Sequence, residues 1–121
     1  MADMLTERII ASAIEVHRLL GPGLLESIYE EALCLEFALR EISFERQKEV
    51  DVLYKGTIIK GQRLDLVVDK EVVVELKSVR KLDDVYSAQV LSYLRSTGLR
   101  KALLMNFGEP RLVDGLKRFS L

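Results

Sequence analysis

Residues 62–77 read QRLDLVVDKEVVVELK, and this segment predicts two β-strands joined by a short turn. The runs 62–68 and 72–77 are rich in Val and Leu, and a polar Asp-Lys-Glu segment separates them. Because side chains alternate between the two faces of a strand, each run is expected to bury one face. The predicted apolar face consists of the even-numbered residues Leu64, Leu66, Val68, Val72, Val74 and Leu76.

The parity of these apolar residues predicts the length of the connection between the strands. Residues paired across a hairpin share a face, so the two apolar faces coincide only where paired numbers have an even sum. A two-residue turn at 69–70 would pair Val68 with Glu71 and place the apolar faces on opposite sides. A three-residue connection, or an equivalent bulge, pairs Val68 with Val72 and is therefore predicted.

The predicted register sets Asp65 opposite Glu75 and Arg63 opposite Lys77, on the face away from the apolar residues. Two facing carboxylates repel each other, and a hard cation such as Mg²⁺ or Mn²⁺ would relieve that repulsion. Lys77 could then orient or deprotonate a water molecule, or balance charge on phosphorus. The alternative is an exposed strand face with an ordinary ion pair, because Asp, Glu and Lys are common on such faces.

The elements on either side of this hairpin predict an α/β or α+β fold. Apolar residues recur at helical spacing over 5–20 and 25–41, with Gly21-Pro22-Gly23 between the two runs. Asp83 or Asp84 can cap a third helix that reaches about residue 97, where Gly98 ends it. Further strands are predicted over 44–54, 57–60, 101–106 and 111–116. This order predicts helices flanking one mixed central sheet.

Two helices offer further candidates for the site. Glu26 and Tyr29 lie three residues apart at the start of the second helix, so they share one side of it. Glu26 could be a third carboxylate near a metal, or a first-turn residue favoured by the helix dipole, and Tyr29 could equally be a core residue. Gln89 and Tyr93 are four residues apart on the third helix. Gln89 could bind main chain or substrate, or face solvent.

Composition and charge narrow the class of protein. The 121 residues are 49% apolar and 31% charged, which predicts one globular domain over 1–121. The formal net charge of −1 argues against tight DNA binding through phosphate contacts alone, although bound divalent cations would supply positive charge. No secretory signal or spanning apolar run is visible, so we expect a cytoplasmic protein without membrane contact.

Several kinds of chemistry are excluded by the residues available. Cys34 is the single cysteine and is expected to be a core residue in a reducing compartment. His17 is the single histidine and is expected to have a structural role. One cysteine and one histidine cannot supply a Cys/His zinc site. The sequence has no Walker or Rossmann glycine loop and no Gly-x-Ser-x-Gly elbow.

The run 17–29, HRLLGPGLLESIY, resembles the bacterial and archaeal GxxExxY protein family, whose name states the spacing of Gly23, Glu26 and Tyr29. Other segments follow the pattern of that family in the same order along nearly the whole chain. These segments are Arg63-Leu-Asp65, Val74-Glu75-Leu-Lys77, the pair Gln89 and Tyr93, and Asn106-Phe107-Gly108.

The GxxExxY family is placed in the PD-(D/E)XK nuclease superfamily, and the resemblance implies a role for each matching residue. Asp65, Glu75 and Lys77 correspond to the catalytic acid-acid-lysine set, and Glu26 to the additional carboxylate of the first core helix. Gln89 and Tyr93 are similar to the Gln-x-x-x-Tyr element of RecB-like exonuclease domains. The implied fold is a restriction-endonuclease-like core, a mixed sheet flanked by helices.

The resulting expectation is a nuclease that hydrolyses nucleic-acid phosphodiesters with Mg²⁺ or Mn²⁺. Asp65 and Glu75 would bind the metal with help from Glu26, while Lys77 would position water or stabilise the transition state. The residues Arg63, Gln89, Tyr93 and Tyr29 would support the site or contact the strand. DNA is favoured over RNA, and a homodimer is conceivable. The alternative is a non-catalytic nucleic-acid- or protein-binding module on the same fold.

Overall fold

The computed structural model of the protein describes residues 3–121. The helices are α1 (Met4–Leu20), α2 (Glu26–Leu39) and α3 (Asp84–Thr97), together with a 3-10 helix at Leu112–Gly115. The strands are β1 (Phe44–Tyr54), β2 (Thr57–Val68), β3 (Val72–Lys77), β4 (Lys101–Asn106) and β5 (Leu116–Ser120). None of the helices described is both long enough and apolar enough to cross a membrane.

The five strands form one mixed sheet in the order β1-β2-β3-β4-β5. Strands β3 and β4 are parallel, and all other neighbours are antiparallel. A parallel pair needs a crossover, which here is α3 with its flanking loops. This arrangement confirms the predicted α+β fold with a mixed central sheet flanked by helices.

Two apolar cores lie on opposite faces of the sheet. The first core joins α1 and α2 to the sheet and includes Ile9, Leu33, Phe37, Leu66, Val74 and Met105. The second core joins α3 to the sheet and includes Val67, Val73, Val90, Tyr93 and Leu104. Strand β3 is thus buried on both faces, which explains its nearly continuous apolar sequence.

The connection between β2 and β3 has three residues, as the parity of the apolar residues predicted. Val68 pairs with Val72, and the Glu71 N–H donates to the Val68 carbonyl at 3.0 Å. Asp69 and Lys70 adopt positive φ angles of 51° and 56°, the conformation that a tight hairpin turn requires.

The prediction that Arg63 faces Lys77 is wrong. The backbone pairing of β2 with β3 ends at Leu66–Val74, and the two strands then separate. Beyond that point Arg63 pairs with Glu49 of β1, whereas Lys77 pairs with Asn106 of β4. Each strand therefore continues beside its outer neighbour, and a fork opens between β2 and β3.

The prediction that all the even-numbered apolar residues share one face fails at Leu64. Leu64 and Leu66 lie two residues apart on β2, yet Leu66 packs in the first core and Leu64 in the second. The paired residues of β1 and β2 pass from Arg46–Leu66 to Lys48–Leu64 and omit Gln47 and Asp65. Gln47 has a φ of 48°, which interrupts the regular alternation of side chains at this point.

Two element boundaries also differ from the prediction. The separate strands expected at 57–60 and 62–68 are one strand, β2. The strand expected at 111–116 is instead the 3-10 helix Leu112–Gly115, followed by β5. This tight turn brings Gly115 so close to β4 that a Cβ atom there would lie 2.6 Å from the Asn106 carbonyl oxygen. The position therefore needs glycine.

Candidate active site

Asp65 and Glu75 connect β2 and β3 at the point where the backbone pairing of these strands ends. The Asp65 N–H donates to Glu75 Oε1 at 2.9 Å, and the Leu76 N–H donates to Asp65 Oδ2 at 2.9 Å. Each side chain thus takes the place of a carbonyl of the opposite strand. The two carboxylates lie in the fork, and each keeps one oxygen that receives no backbone N–H.

Burial makes both members of this carboxylate pair weaker acids than usual. Glu75 is only 3% exposed, and burial together with the charge of Asp65 raises the pKa of Glu75 to about 8. Burial likewise raises the pKa of Asp65, and the charge of Glu30 adds to that shift. A cation bound between the two groups would remove the cost of ionising both of them.

Lys77 is the last residue of β3 and completes the predicted set of three. Its side chain is half-buried, and its Nζ atom lies 4.6 Å from the centroid of the Tyr86 ring. The positive charge of Lys77 counts among the influences that lower the pKa values of Glu26, Asp65 and Glu75. The lysine therefore shares one electrostatic environment with the carboxylates.

Glu26 begins α2 and lies beside the fork. Burial raises the pKa of Glu26, the charge of Lys77 opposes this shift, and the charges of Asp65 and Glu30 increase it. Glu26 therefore shares the electrostatic environment of Asp65 and Lys77. Glu26 is half-buried and so retains access to solvent.

The loop before α2 is fixed by hydrogen bonds, and this fixes the position of Glu26. The Leu24 N–H donates to the Tyr29 hydroxyl oxygen at 3.1 Å, and the Tyr29 hydroxyl donates to the Gly21 carbonyl. Ser78 Oγ, next to Lys77, donates to the Leu24 carbonyl at 2.6 Å. The start of α2 is therefore tied to the end of β3.

Tyr29 occupies the core and does not line the fork. Its ring is fully buried and stacks on Phe107 with 4.5 Å between the ring centroids. With its hydroxyl bound to the loop, Tyr29 makes the contacts of a supporting residue, one of the two roles that the sequence suggested for it.

Asn106 and Gly108 fix the chain that leaves β3 after Lys77. Asn106 Oδ1 accepts from the N–H groups of Val79 and Gly108, both at 3.0 Å, and Asn106 Nδ2 donates to the Val79 carbonyl at 2.9 Å. Gly108 lies so near this segment that a Cβ atom would be 2.1 Å from the Val79 oxygen. The Asn-Phe-Gly segment therefore has a structural role, which is to hold the chain at Val79.

The other predicted residues differ in their placement. Tyr93 projects from α3 and is buried, and burial together with the charges of Glu75 and Asp65 raises its pKa to about 12. Tyr93 therefore shares the electrostatic environment of the carboxylate pair. Gln89 and Arg63 are exposed. Their predicted contact with the nucleic-acid strand stays a prediction.

Glu30 is a buried carboxylate whose charge acts on the candidate site, and the sequence analysis missed it. It is 9% exposed and accepts hydrogen bonds from Arg46 Nη2 at 3.0 Å and from Gln47 Nε2 at 2.8 Å. Its charge raises the pKa values of Asp65 and Glu26. Glu30 follows Glu26 by four residues, so the helical spacing could have revealed it.

His17 and Cys34 have the structural roles that the sequence predicted. His17 is buried, and its Nε2–H donates to the Glu109 carbonyl at 2.8 Å, with the Phe107 carbonyl at 3.2 Å. Cys34 is also buried, and burial raises the pKa of its thiol to about 11. A thiol with such a pKa is a weak source of thiolate.

Two carboxylates are the protein ligands that this site can offer a metal ion. Within residues 3–121 no cluster of three or more His, Cys, Asp or Glu side chains is arranged to hold a metal ion. Mg²⁺ does not need such a cage, because one or two carboxylates, water molecules and substrate phosphate usually surround it. The free oxygens of Asp65 and Glu75 suit that mode of binding.

A mixed sheet that separates into a fork bearing two carboxylates, with a lysine at the end of the central strand, defines the restriction-endonuclease-like class. A family model of the PD-(D/E)XK nuclease superfamily matches residues 3–119, and the chain belongs to that superfamily. Searches among curated proteins and among solved structures give no match. The resemblance to the narrower GxxExxY family stays a prediction.

Proposed function

We propose that the protein is a nuclease that hydrolyses DNA phosphodiester bonds with Mg²⁺ or Mn²⁺. The observation that carries this proposal is the fork, in which Asp65 and Glu75 bind each other's strands by their side chains while Lys77 ends the central strand. Membership of a nuclease superfamily supports this class of activity, and the residues of the fork support this choice of site.

Asp65 and Glu75 would hold the metal ion, and Glu26 would contact that ion through a bound water molecule. The raised pKa of Glu75 indicates that the ionised pair is costly by itself, and a divalent cation would offset that cost. When bound, the ion supplies Lewis acidity toward the phosphate and positive charge for the developing oxyanion. The carboxylates fix where that charge lies.

Lys77 would act on the nucleophile or on the phosphate. Its half-buried Nζ shares the surroundings of Asp65 and Glu75, where an ammonium group can orient a water molecule by hydrogen bonding. The same positive charge would stabilise the phosphorane-like transition state. Tyr93 would keep the floor of the site in place from the side of α3.

Exposed cations near the site favour a polyanionic substrate. Arg80 and Lys81 follow Lys77 after two residues, and both are exposed, as is Arg63 on β2. These three residues and Lys77 make no ion pair with a carboxylate of residues 3–121. Their charge is available for phosphate contacts. The similarity of Gln89 and Tyr93 to RecB-like exonuclease domains favours DNA over RNA.

The test is a cleavage assay with labelled single- and double-stranded DNA and RNA, with Mg²⁺, with Mn²⁺ or with chelator. We expect metal-dependent cleavage of DNA that falls at least a hundredfold in Asp65→Asn, Glu75→Gln and Lys77→Met. The matched controls are Asp114→Asn and Lys117→Met, which alter exposed residues of the C-terminal segment.

Two results would contradict the proposal. Metal-dependent cleavage that persists in both Asp65→Ala and Lys77→Ala would show that the activity does not arise at the fork. DNA binding without cleavage, together with no heat of Mn²⁺ binding at millimolar metal, would instead assign the chain as a non-catalytic binding module.

A further inference from the structure

The ring of Tyr86 lies under the ammonium group of Lys77. The distance of 4.6 Å from Nζ to the ring centroid is within the range of a cation–π interaction. Both side chains are half-buried, so water screens the attraction less than it would at an open surface. No motif in the sequence singles out Tyr86, which lies three residues before Gln89.

The ring of Tyr86 is placed by helix α3, independently of Lys77. The Tyr86 N–H donates to the Asp83 carbonyl at 3.1 Å, and the Asp83 side chain caps the helix by accepting from the Val85 N–H at 3.1 Å. Tyr86 also packs against the second core, in which Val90 of the same helix is buried. A ring held in this way is a fixed surface for a mobile partner.

Lys77 needs such a partner because it has no other fixed contact for its charge. Within the described part of the chain no carboxylate lies within ion-pair distance of its Nζ. A lysine side chain has four flexible carbon atoms, and free rotation would spread its ammonium group over many positions. Contact with the ring restricts the ammonium group to positions over Tyr86.

We propose that Tyr86 is a positioning residue for Lys77, and that the face of its ring holds the ammonium group beside Asp65 and Glu75. This inference rests on the proposed function, because it matters for catalysis only if Lys77 acts on the substrate. The ring is the active part, and the hydroxyl is dispensable. Tyr86→Phe should therefore preserve the positioning of Lys77, whereas Tyr86→Leu, which removes the ring, should not.

A direct test measures the contact without any need for nuclease activity. The lysines are converted to ¹³C-dimethyl-lysines, which keep their charge, and their methyl signals are recorded by NMR. The Lys77 signal is identified by its loss in Lys77→Met. We expect this signal to be shifted upfield by the ring current in the unmodified sequence and in Tyr86→Phe, and to lose that shift in Tyr86→Leu.

A second lysine–tyrosine pair provides the matched control. Lys55 Nζ lies 5.5 Å from the Tyr54 ring centroid on the remote β1–β2 hairpin. The Lys55 signal should respond to Tyr54→Leu and be unaffected by Tyr86→Leu. The inference is overturned if the Lys77 signal is not shifted in the unmodified sequence, or if Tyr86→Phe and Tyr86→Leu give the same Lys77 signal.

Once cleavage is established, a double-mutant cycle tests the consequence for catalysis. We expect Tyr86→Leu to lower kcat/KM about three- to tenfold, Tyr86→Phe to restore it, and Tyr86→Leu to have no further effect in a Lys77→Met background. An equal loss in both backgrounds would show that Tyr86 acts only through the stability of α3. Absence of cleavage in every form would reject the proposed function, while the NMR result would still decide the contact.

Discussion

The backbone N–H of Asp65 donates its hydrogen bond to the side chain of Glu75, 2.9 Å away, and not to a carbonyl of the neighbouring strand. The carboxylate of Asp65 in turn accepts from the residue after Glu75. The position of each acid is therefore determined by the backbone that carries the other. Replacing either acid by alanine would therefore alter both the charge of the site and the join between β2 and β3.

The stability of the metal-free protein should fall as the pH rises from about 4.5 to about 8. The pKa of Glu75 rises from 4.5 in the unfolded chain to about 8 in the folded protein, so in this interval the folded state binds the extra proton. The contribution is complete below pH 4.5 and is lost as the pH passes 8. Urea denaturation with chelator should show a decline of a few kcal/mol in the free energy of unfolding.

Glu75→Gln provides the control for this pH dependence. The amide oxygen of glutamine can still accept from the Asp65 N–H, but the side chain does not ionise. Its unfolding free energy should therefore be much less sensitive to pH between 5 and 9. A variant with the same pH profile as the unmodified protein would show that another group titrates.

Binding of Mn²⁺ at pH 7 should release close to one proton. Glu75 is mainly protonated at that pH because its pKa is about 8, and a carboxylate must lose its proton to bind a metal ion. Calorimetry in buffers with different ionisation heats measures this release directly. As the pH rises towards 8, the affinity for Mn²⁺ should increase by up to about tenfold per pH unit. Above pH 8 it should level off. Heats that do not depend on the buffer would contradict the assignment.

Tyr29→Phe should weaken the loop that precedes α2 while leaving the stacked core intact. The substitution keeps the ring on Phe107 but removes the hydroxyl that binds Gly21 and Leu24. We expect a loss of about 1–3 kcal/mol in the free energy of unfolding, because these groups lose their partner. Cleavage should fall as Glu26 becomes less well placed, and this fall should be absent in a Glu26→Gln background.

Gly108→Ala should be among the most damaging small substitutions in the chain. Its Cβ atom would lie 2.1 Å from the Val79 carbonyl oxygen, so the segment after Lys77 would have to move. We expect a loss of about 3 kcal/mol or more in the free energy of unfolding, together with weaker Mn²⁺ binding.

Gly61→Ala is the comparison for this substitution. Gly61 has a φ of 113°, but no atom lies within 4 Å of the place that a Cβ atom would take, so only the backbone preference is lost. Its cost should be about 1–2 kcal/mol, without an effect on metal binding. Equal losses in the two variants would show that contact with Val79 is not the cause.

The sequence was sufficient to predict the hairpin and its register close to the turn, because the two runs of even-numbered apolar residues must face the same core. Val68 opposite Val72 follows from parity alone, and just beyond this paired segment Asp65 and Glu75 are joined by hydrogen bonds. The roles of these two residues came partly from the spacing and partly from the resemblance to a family. The ends of most helices and strands were also predictable, because caps such as Asp83 and Gly98 are local signals.

The features that the sequence did not predict depend on contacts between distant segments. The rule of alternating faces assumes a regular ladder, so it could not foresee that side chains replace carbonyls in the fork or that Leu64 changes core. Tyr86 meets Lys77 only because α3 crosses the sheet. Glu30 was within reach of helical spacing, but its burial with Arg46 and Gln47 depends on how α2 lies against β1.

The interruption at Gln47 and Asp65 divides the long β1–β2 hairpin into two parts. The inner part lies beside β3, and the outer part, residues 48–64, begins its alternation anew beyond Asp65. We therefore expect changes in the length of the outer part to leave the positions of Asp65 and Glu75 unaltered. Such changes would alter the surface beside the candidate site without moving the two carboxylates.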